Sequence, residues 1–111
     1  MEDDLVTWGR VLRIETRGRM TGRTAVATVG FVELPEGALL VAAGSPRADW
    51  ALNLIAEPRC RVTIAETAWP AVATLLEGAG HAAAVRELIL KYGTPAESLG
   101  GGPAFELRRE G

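Results

Sequence analysis

Polar and apolar residues alternate from Val11 to Arg17, with Leu12, Ile14 and Thr16 on one side and Arg13, Glu15 and Arg17 on the other. A period of two predicts a half-buried strand. Thr24 to Leu34 differs, because Val26, Val29, Phe31, Val32 and Leu34 leave neither side polar. It predicts one long strand covered on both faces, inside a barrel or against a second subunit. Pro35-Glu36-Gly37 then sets a turn, and Ala38 to Ala43 returns as a strand that stops at Gly44. Ser45-Pro46 predicts a helix start, a hydroxyl cap followed by proline at the first helical position. Asp49 suits the positive end of that helix, Trp50, Leu54 and Ile55 give its apolar side, and Pro58 ends it.

Arg59 to Ala65 alternates again around Val62 and Ile64, and Glu66-Thr67-Ala68 connects it tightly to a strand from Trp69 to Leu76. Pro70 assigns the start of that strand to an edge or a bulge. Gly80 to Tyr92 gathers Ala84, Val85, Leu88, Ile89 and Tyr92 on one face and predicts an amphipathic helix closed by Gly93. Thr94 to Pro103 has three consecutive glycines and no apolar anchor, so residues 94–103 are expected to form a flexible loop. Ala104 to Arg108 is a final strand. Residues 1–9 read as a short arm, in which Trp8 either covers the end of the sheet or closes a pocket edge. The sum is a mainly β chain of about six strands and two helices.

Length and charge narrow the picture. At 111 residues the chain is a single domain, 1–111, small enough that pairing with a second copy is a natural way to bury more surface. A net charge of −2 argues against general nucleic-acid binding. The arginines are not evenly spread, however: Arg10, Arg13, Arg17, Arg19 and Arg23 cluster early, opposed only by Glu15. Such a cluster can attract a phosphate or carboxylate, or be one solvated strand face. Cys60 is the sole cysteine and His81 the sole histidine, which rules out an internal disulfide and a Cys/His zinc site of ordinary ligand count, and no Ser-His-Asp set is suggested. The acidic start Met1-Glu2-Asp3-Asp4 has no leader character, and no apolar run approaches the ~20 residues of a membrane span. With the lone thiol, this gives the expectation of a cytoplasmic protein.

The stretch with chemistry in it is Gly18-Arg19-Met20-Thr21-Gly22-Arg23, between the first two strands. Two glycines permit amides to converge, Thr21 adds a hydroxyl, and Arg19 and Arg23 add forks suited to phosphate oxygens. A plain hairpin turn would use the same residues for geometry and solubility.

Thr16-Arg17-Gly18-Arg19-Met20-Thr21-Gly22-Arg23 resembles the strand-turn-strand signature of the deazaflavin (F420)-dependent nitroreductase family. Leu40-Val41-Ala42-Ala43-Gly44, Trp50-Ala51-Leu52-Asn53-Leu54-Ile55-Ala56-Glu57-Pro58 and Val62-Thr63-Ile64 follow in the family's order. The resemblance implies a split β-barrel of the flavin and deazaflavin oxidoreductase superfamily, similar to FMN-binding split barrels. It further implies a homodimer and hydride transfer between reduced coenzyme F420 and a small organic substrate, the cofactor carrying the hydride chemistry. The residues it places at the cofactor are Arg19, Met20, Thr21, Gly22 and Arg23 in the turn, and Val26, Ala27, Thr28 and Val29 on the next strand. Ala42, Ala43 and Gly44 at a strand end, with Trp50 and Asn53 on the helix, complete the set. No catalytic side chain is implied, and none of these residues is a metal ligand. Met20 and Ala25 stand where family members commonly carry Lys and Arg, which leaves Arg19 as the main expected cation. These departures keep two alternatives in view, an FMN-binding split barrel and a non-enzymatic member that holds another apolar ligand.

Overall fold

The computed structural model describes residues 11–93 and 101–110. The order is β1 (Leu12–Arg17), β2 (Thr24–Val29), β3 (Val32–Glu33), β4 (Leu39–Ala42), α1 (Asp49–Ala56), β5 (Arg59–Ile64), β6 (Thr67–Leu76), α2 (Gly78–Tyr92) and β7 (Ala104–Arg109). Seven strands, not six, form one sheet in the order β2-β1-β5-β6-β7-β4-β3, and all its pairings are antiparallel. The expected N-terminal arm, Trp8 included, lies outside the described residues, as does the 94–100 part of the expected loop.

The extra strand comes from the predicted run Thr24 to Leu34, which is two strands. Gly30 and Phe31 separate β2 from β3, and these strands lie at opposite ends of the sheet order. Val29 and Val32 are three peptide steps apart, so their Cα atoms are at most ~11 Å apart. Two edges that must meet over so short a link require the sheet to curl on itself. The link is held in place by the end of α2: Phe31 N donates to Tyr92 Oη (2.9 Å), and Lys91 Nζ donates to Phe31 O (2.6 Å). The Lys91 ammonium also sits 4.0 Å from the centre of the Phe31 ring. Glycine suits this place, since a Cβ on residue 30 would stand 2.9 Å from the Tyr92 ring and push it from its bonds to Phe31. A glycine inside an apolar run is the sequence mark of such a close approach.

The curled sheet has a different core on each face. Leu12, Ile14, Val41, Val62, Phe105 and Leu107 fill one face, closed by Ala51 and Leu54 of α1. Leu40, Ala42 and Ala104 point the other way, onto Ala84 and Leu88 of α2. That is why β4 is buried at every position and reads as unbroken apolar sequence.

Two boundaries move for local reasons. The first helix begins at Asp49 with Ala48 as its N-cap, not at Ser45. Ser45 Oγ instead accepts from Arg47 N (3.1 Å), a hydroxyl turn placed before the helix. The β5–β6 connection is only Ala65-Glu66, with Ile64 opposite Thr67 and Ala65 at φ 53°. Pro70 sits within a central strand, not at an edge or a bulge. Its carbonyl accepts from Glu110 N (2.9 Å), just past the last paired residue of β7, Arg109 opposite Ala71. The missing proline N–H faces the same residue, so the proline forfeits at most the terminal bond of the β6–β7 ladder.

The far end of the glycine-rich segment is packed. Gly102 is buried, Ala43 N donates to Pro103 O (2.8 Å), and a Cβ on Gly102 would collide with Ala43 O and stand 2.7 Å from Ser45 O.

Candidate functional site

β1 hands over to the turn at Arg17 and β2 takes the chain back at Thr24, with Arg17 paired to Thr24. Within the turn, Gly18 N donates to Arg23 O (2.8 Å) and Gly22 N to Gly18 O (2.8 Å). Arg23 N donates to Thr21 Oγ1 (3.2 Å). Gly22 takes φ +73°, the left-handed conformation that glycine adopts without steric cost. Arg19 N is also engaged, with Asn53 Oδ1 (3.2 Å). The glycines therefore shape the turn and do not gather its amides into an anion nest. Only the Met20 and Thr21 amides find no protein acceptor among the described residues, and the Thr21 hydroxyl keeps its proton to donate.

Asn53 ties this turn to α1. Its position on the helix face beside Leu54 drives it into the interior, where it is 2% exposed. A buried amide must find partners, and this one has three. Its Oδ1 accepts from both the backbone N and Nη1 of Arg19 (3.2 and 2.8 Å), and its Nδ2 donates to Thr16 Oγ1 (3.1 Å). Thr16 is itself 2% exposed, at a position where β1's alternation would call for an apolar residue. Arg19 is held further by Asp49: Nη2 lies 3.2 Å from Oδ1 and Nη1 3.5 Å from the main-chain oxygen. The helix and the turn are thus one polar unit built from Thr16, Arg19, Asp49 and Asn53.

The other predicted residues fall into distinct environments. Met20 is 88% exposed and Val26 58% exposed, while Thr21, Gly22, Arg23 and Gly44 also face solvent. Register places Ala27 and Val29 on the enclosed face with Ile14 and Leu12, where they pack on the core. Val26 and Thr28 project from the opposite face with Glu15 and Arg13. Ala42 and Ala43 are buried, one under α2 and one in the enclosed core. Trp50 packs against Phe105 with ring centroids 5.9 Å apart and planes at 53°, so it forms a wall of the core. The turn and the start of α1 are therefore held together, and Ala43 shares the enclosed core with Ala51 and Leu54 of α1. The Val26–Val29 segment is divided between two faces.

Three features escape the sequence reading. Thr16 carried a detectable signal, a hydroxyl in phase with Leu12 and Ile14. Gly102 carried none that separates it from its neighbouring glycines, yet it lies tight against the carbonyl oxygens of Ala43 and Ser45. His81 has a structural role, with its Nε2 2.7 Å from Gly102 O. Burial, and secondarily Glu110, pushes the Cys60 thiol up to about 11, so it stays protonated and unreactive at neutral pH. Among the described residues no group of three or more His, Cys, Asp and Glu can hold a metal, and no helix is long and apolar enough to cross a membrane.

Residues 5–95 match the profile of the F420H(2)-dependent quinone reductase family. The chain belongs to that family. The match spans the turn, α1 and both core faces, so the resemblance to deazaflavin-dependent enzymes read from the sequence holds at the level of the family. No curated protein sequence matches the chain significantly. Among solved structures, an F420-H2 dependent reductase (FDR-A) is similar with a TM-score of 0.75 at 22% identity, covering 89% of this chain and 94% of that one. The heme storage protein HutZ from Vibrio cholerae has a TM-score of 0.77 at 21% identity, over 97% of this chain and 87% of its own. A protein described as a domain-swapped dimer has a TM-score of 0.74 at 20% identity, over 96% and 92% of the two chains. These three likenesses are of fold, which one family shares with proteins of other functions.

Proposed function

We propose that this protein is an F420-dependent oxidoreductase of the split-barrel type, acting on a small organic acceptor of the quinone class named in the family's description. The observation that carries this reading is the family match over residues 5–95. The site's donor set agrees with it. A phosphate-bearing cofactor needs cations and hydroxyls beside a turn that no side chain blocks, and Arg17, Arg23 and Thr21 supply them around Gly22. When bound, F420 supplies the hydride chemistry itself. The chain's residues then have three roles. The turn binds the phosphate, the Ala43–Gly44 strand end and the start of α1 border the cofactor, and Trp50 with Phe105 keeps water out of the wall behind it.

Titration of the purified protein with F420, and in parallel with FMN, tests this reading by fluorescence and absorbance. Saturable binding of F420 without FMN uptake is expected, followed by F420H2-dependent reduction of a simple naphthoquinone. A yellow protein that retains FMN would establish the flavin reading instead. Uptake of neither would make this a non-enzymatic member of the family.

The assembly we propose is a homodimer. Among the described residues β2 is an end of the sheet order with Val26 exposed, a surface that a second copy would cover. The similar domain-swapped protein adds support. Sedimentation at micromolar concentration should give twice the chain mass of 11.8 kDa; a single species at the chain mass refutes the dimer.

A further inference from the structure

Three guanidiniums surround the glycine turn, and they are not equivalent. Arg19 is the one that the sequence resemblance places at a phosphate, yet its side chain already makes three hydrogen bonds to α1. Nη1 serves Asn53 and the Asp49 carbonyl, and Nη2 serves the Asp49 carboxylate. That carboxylate is on a side chain 83% exposed, so an oxoanion approaching Arg19 meets a like charge at its partner.

Arg17 is placed differently. Its Nε and Nη2 both lie 3.8 Å from where a Cβ on Gly22 would be, so the guanidinium lies against the bare face of the turn's glycine. The side chain has no hydrogen bond or ion pair among the described residues, and the residue is exposed. The sheet register sets Thr24 directly opposite Arg17, with Glu15 the nearest carboxylate on the same face of β1. Arg23, likewise without an ion-pair partner among the described residues, flanks the same turn from the β2 side.

We infer that Arg17 is the residue that binds the ligand's phosphate ester, with Arg23 and the Thr21 hydroxyl beside it, and that Arg19 is a positioning residue. This inference rests on the functional reading above. It explains how the chain dispenses with cations at Met20 and Ala25: the charge has moved to the last residue of β1 and the last of the turn. A guanidinium fork over a glycine can present both its edges to two phosphate oxygens, whereas Arg19 has only Nε–H and one Nη2–H left over, beside the Asp49 carboxylate that would repel the anion.

The test compares wild type, Arg17→Gln, Arg17→Lys and Arg19→Gln. Each is titrated with F420 and with 5-deazariboflavin, which has the same ring system and no phosphate, at low and high salt. Arg17→Gln is expected to weaken F420 binding roughly ten- to a hundredfold. It should leave 5-deazariboflavin affinity and the melting temperature unchanged, and flatten the salt dependence. Arg17→Lys should restore part of the affinity and all of the salt dependence. Arg19→Gln should lower the melting temperature and weaken both ligands together, because it loosens the turn. If Arg17→Gln binds F420 as wild type does, with the same salt dependence, the inference fails while the functional reading stands. Equal loss of both ligands in Arg17→Gln also overturns it, since the phosphate would not be what Arg17 recognises. A wild type that binds neither ligand removes both the inference and the reading it rests on.

Discussion

Replacing Gly102 with alanine should destabilise the protein by about 3 kcal/mol, near the upper end of the ordinary range for overpacking. The reason lies in what a methyl group would meet. Its neighbours are the carbonyl oxygens of Ala43 and Ser45, backbone atoms that no rotamer change can move aside. Relief would have to come from shifting the strand end at Ala43, which would break its amide bond to Pro103 O and the His81 contact to Gly102 O. Urea denaturation of Gly102→Ala, with Gly37→Ala as a control at an open turn, measures this. Gly37 meets nothing within 4 Å but has φ +95°, so its alanine variant suffers only the cost of the left-handed conformation, ~1–2 kcal/mol. Equal losses for the two variants would show that Gly102 is a turn residue and not a packing one.

Asn53→Ala should cost about 3 kcal/mol, and lower the melting temperature by roughly 15 °C for a domain of this size. The substitution strands the buried Thr16 hydroxyl and both Arg19 donors at once, and it opens a space beside Leu54. Asn53→Asp tells the network apart from simple packing. It keeps the volume and the acceptor for Arg19 but loses the donor to Thr16, so it should fall between wild type and alanine. Thermal unfolding of the two variants decides the point: if Asp is no better than Ala, the bonds to Arg19 contribute nothing and Asn53 acts only as filler. Because Arg19 is part of this unit, Arg19→Ala is itself destabilising. Charges in an exposed turn ordinarily contribute little to folding; Arg19 differs because its partner Asn53 is buried.

Much of this arrangement was legible beforehand, where one physical signal dominated. Alternation gave β1 and β5 nearly to the residue, and α2 was legible from its apolar stripe and Gly93. What misled was the case of two signals in one stretch. The Thr24–Leu34 run is apolar throughout, so its hydrophobicity concealed the chain's crossing from one sheet edge to the other at Gly30. Ser45-Pro46 has the chemistry of a helix cap, but local hydroxyl turns use the same chemistry, and only the tertiary position of Asp49 decides between them. At the candidate site, the turn Gly18–Arg23 and the Trp50–Asn53 helix could each be picked out, but not the bonds from Asn53 and Asp49 to Arg19 that join them. The division of labour among the arginines could not, because it depends on which guanidinium Asp49 and Asn53 reach across about thirty intervening residues, and composition is silent on that.

The position of β7 has a consequence for how the chain reaches its native state. This strand is inserted between β6 and β4, with Leu107 opposite both Ala73 and Leu39. Until it docks, β4 has only the two-residue β3 as a partner, and the half of β6 beyond β5 has none. The contacts that join the two halves of the sheet therefore link residues far apart in sequence, such as Leu39 and Leu107. Such a topology has a high contact order, because the entropy of a long loop is lost before the pairing can compensate. Docking of this central strand is therefore expected to be a late step of folding, and while it is pending two open edges are available to a neighbouring molecule.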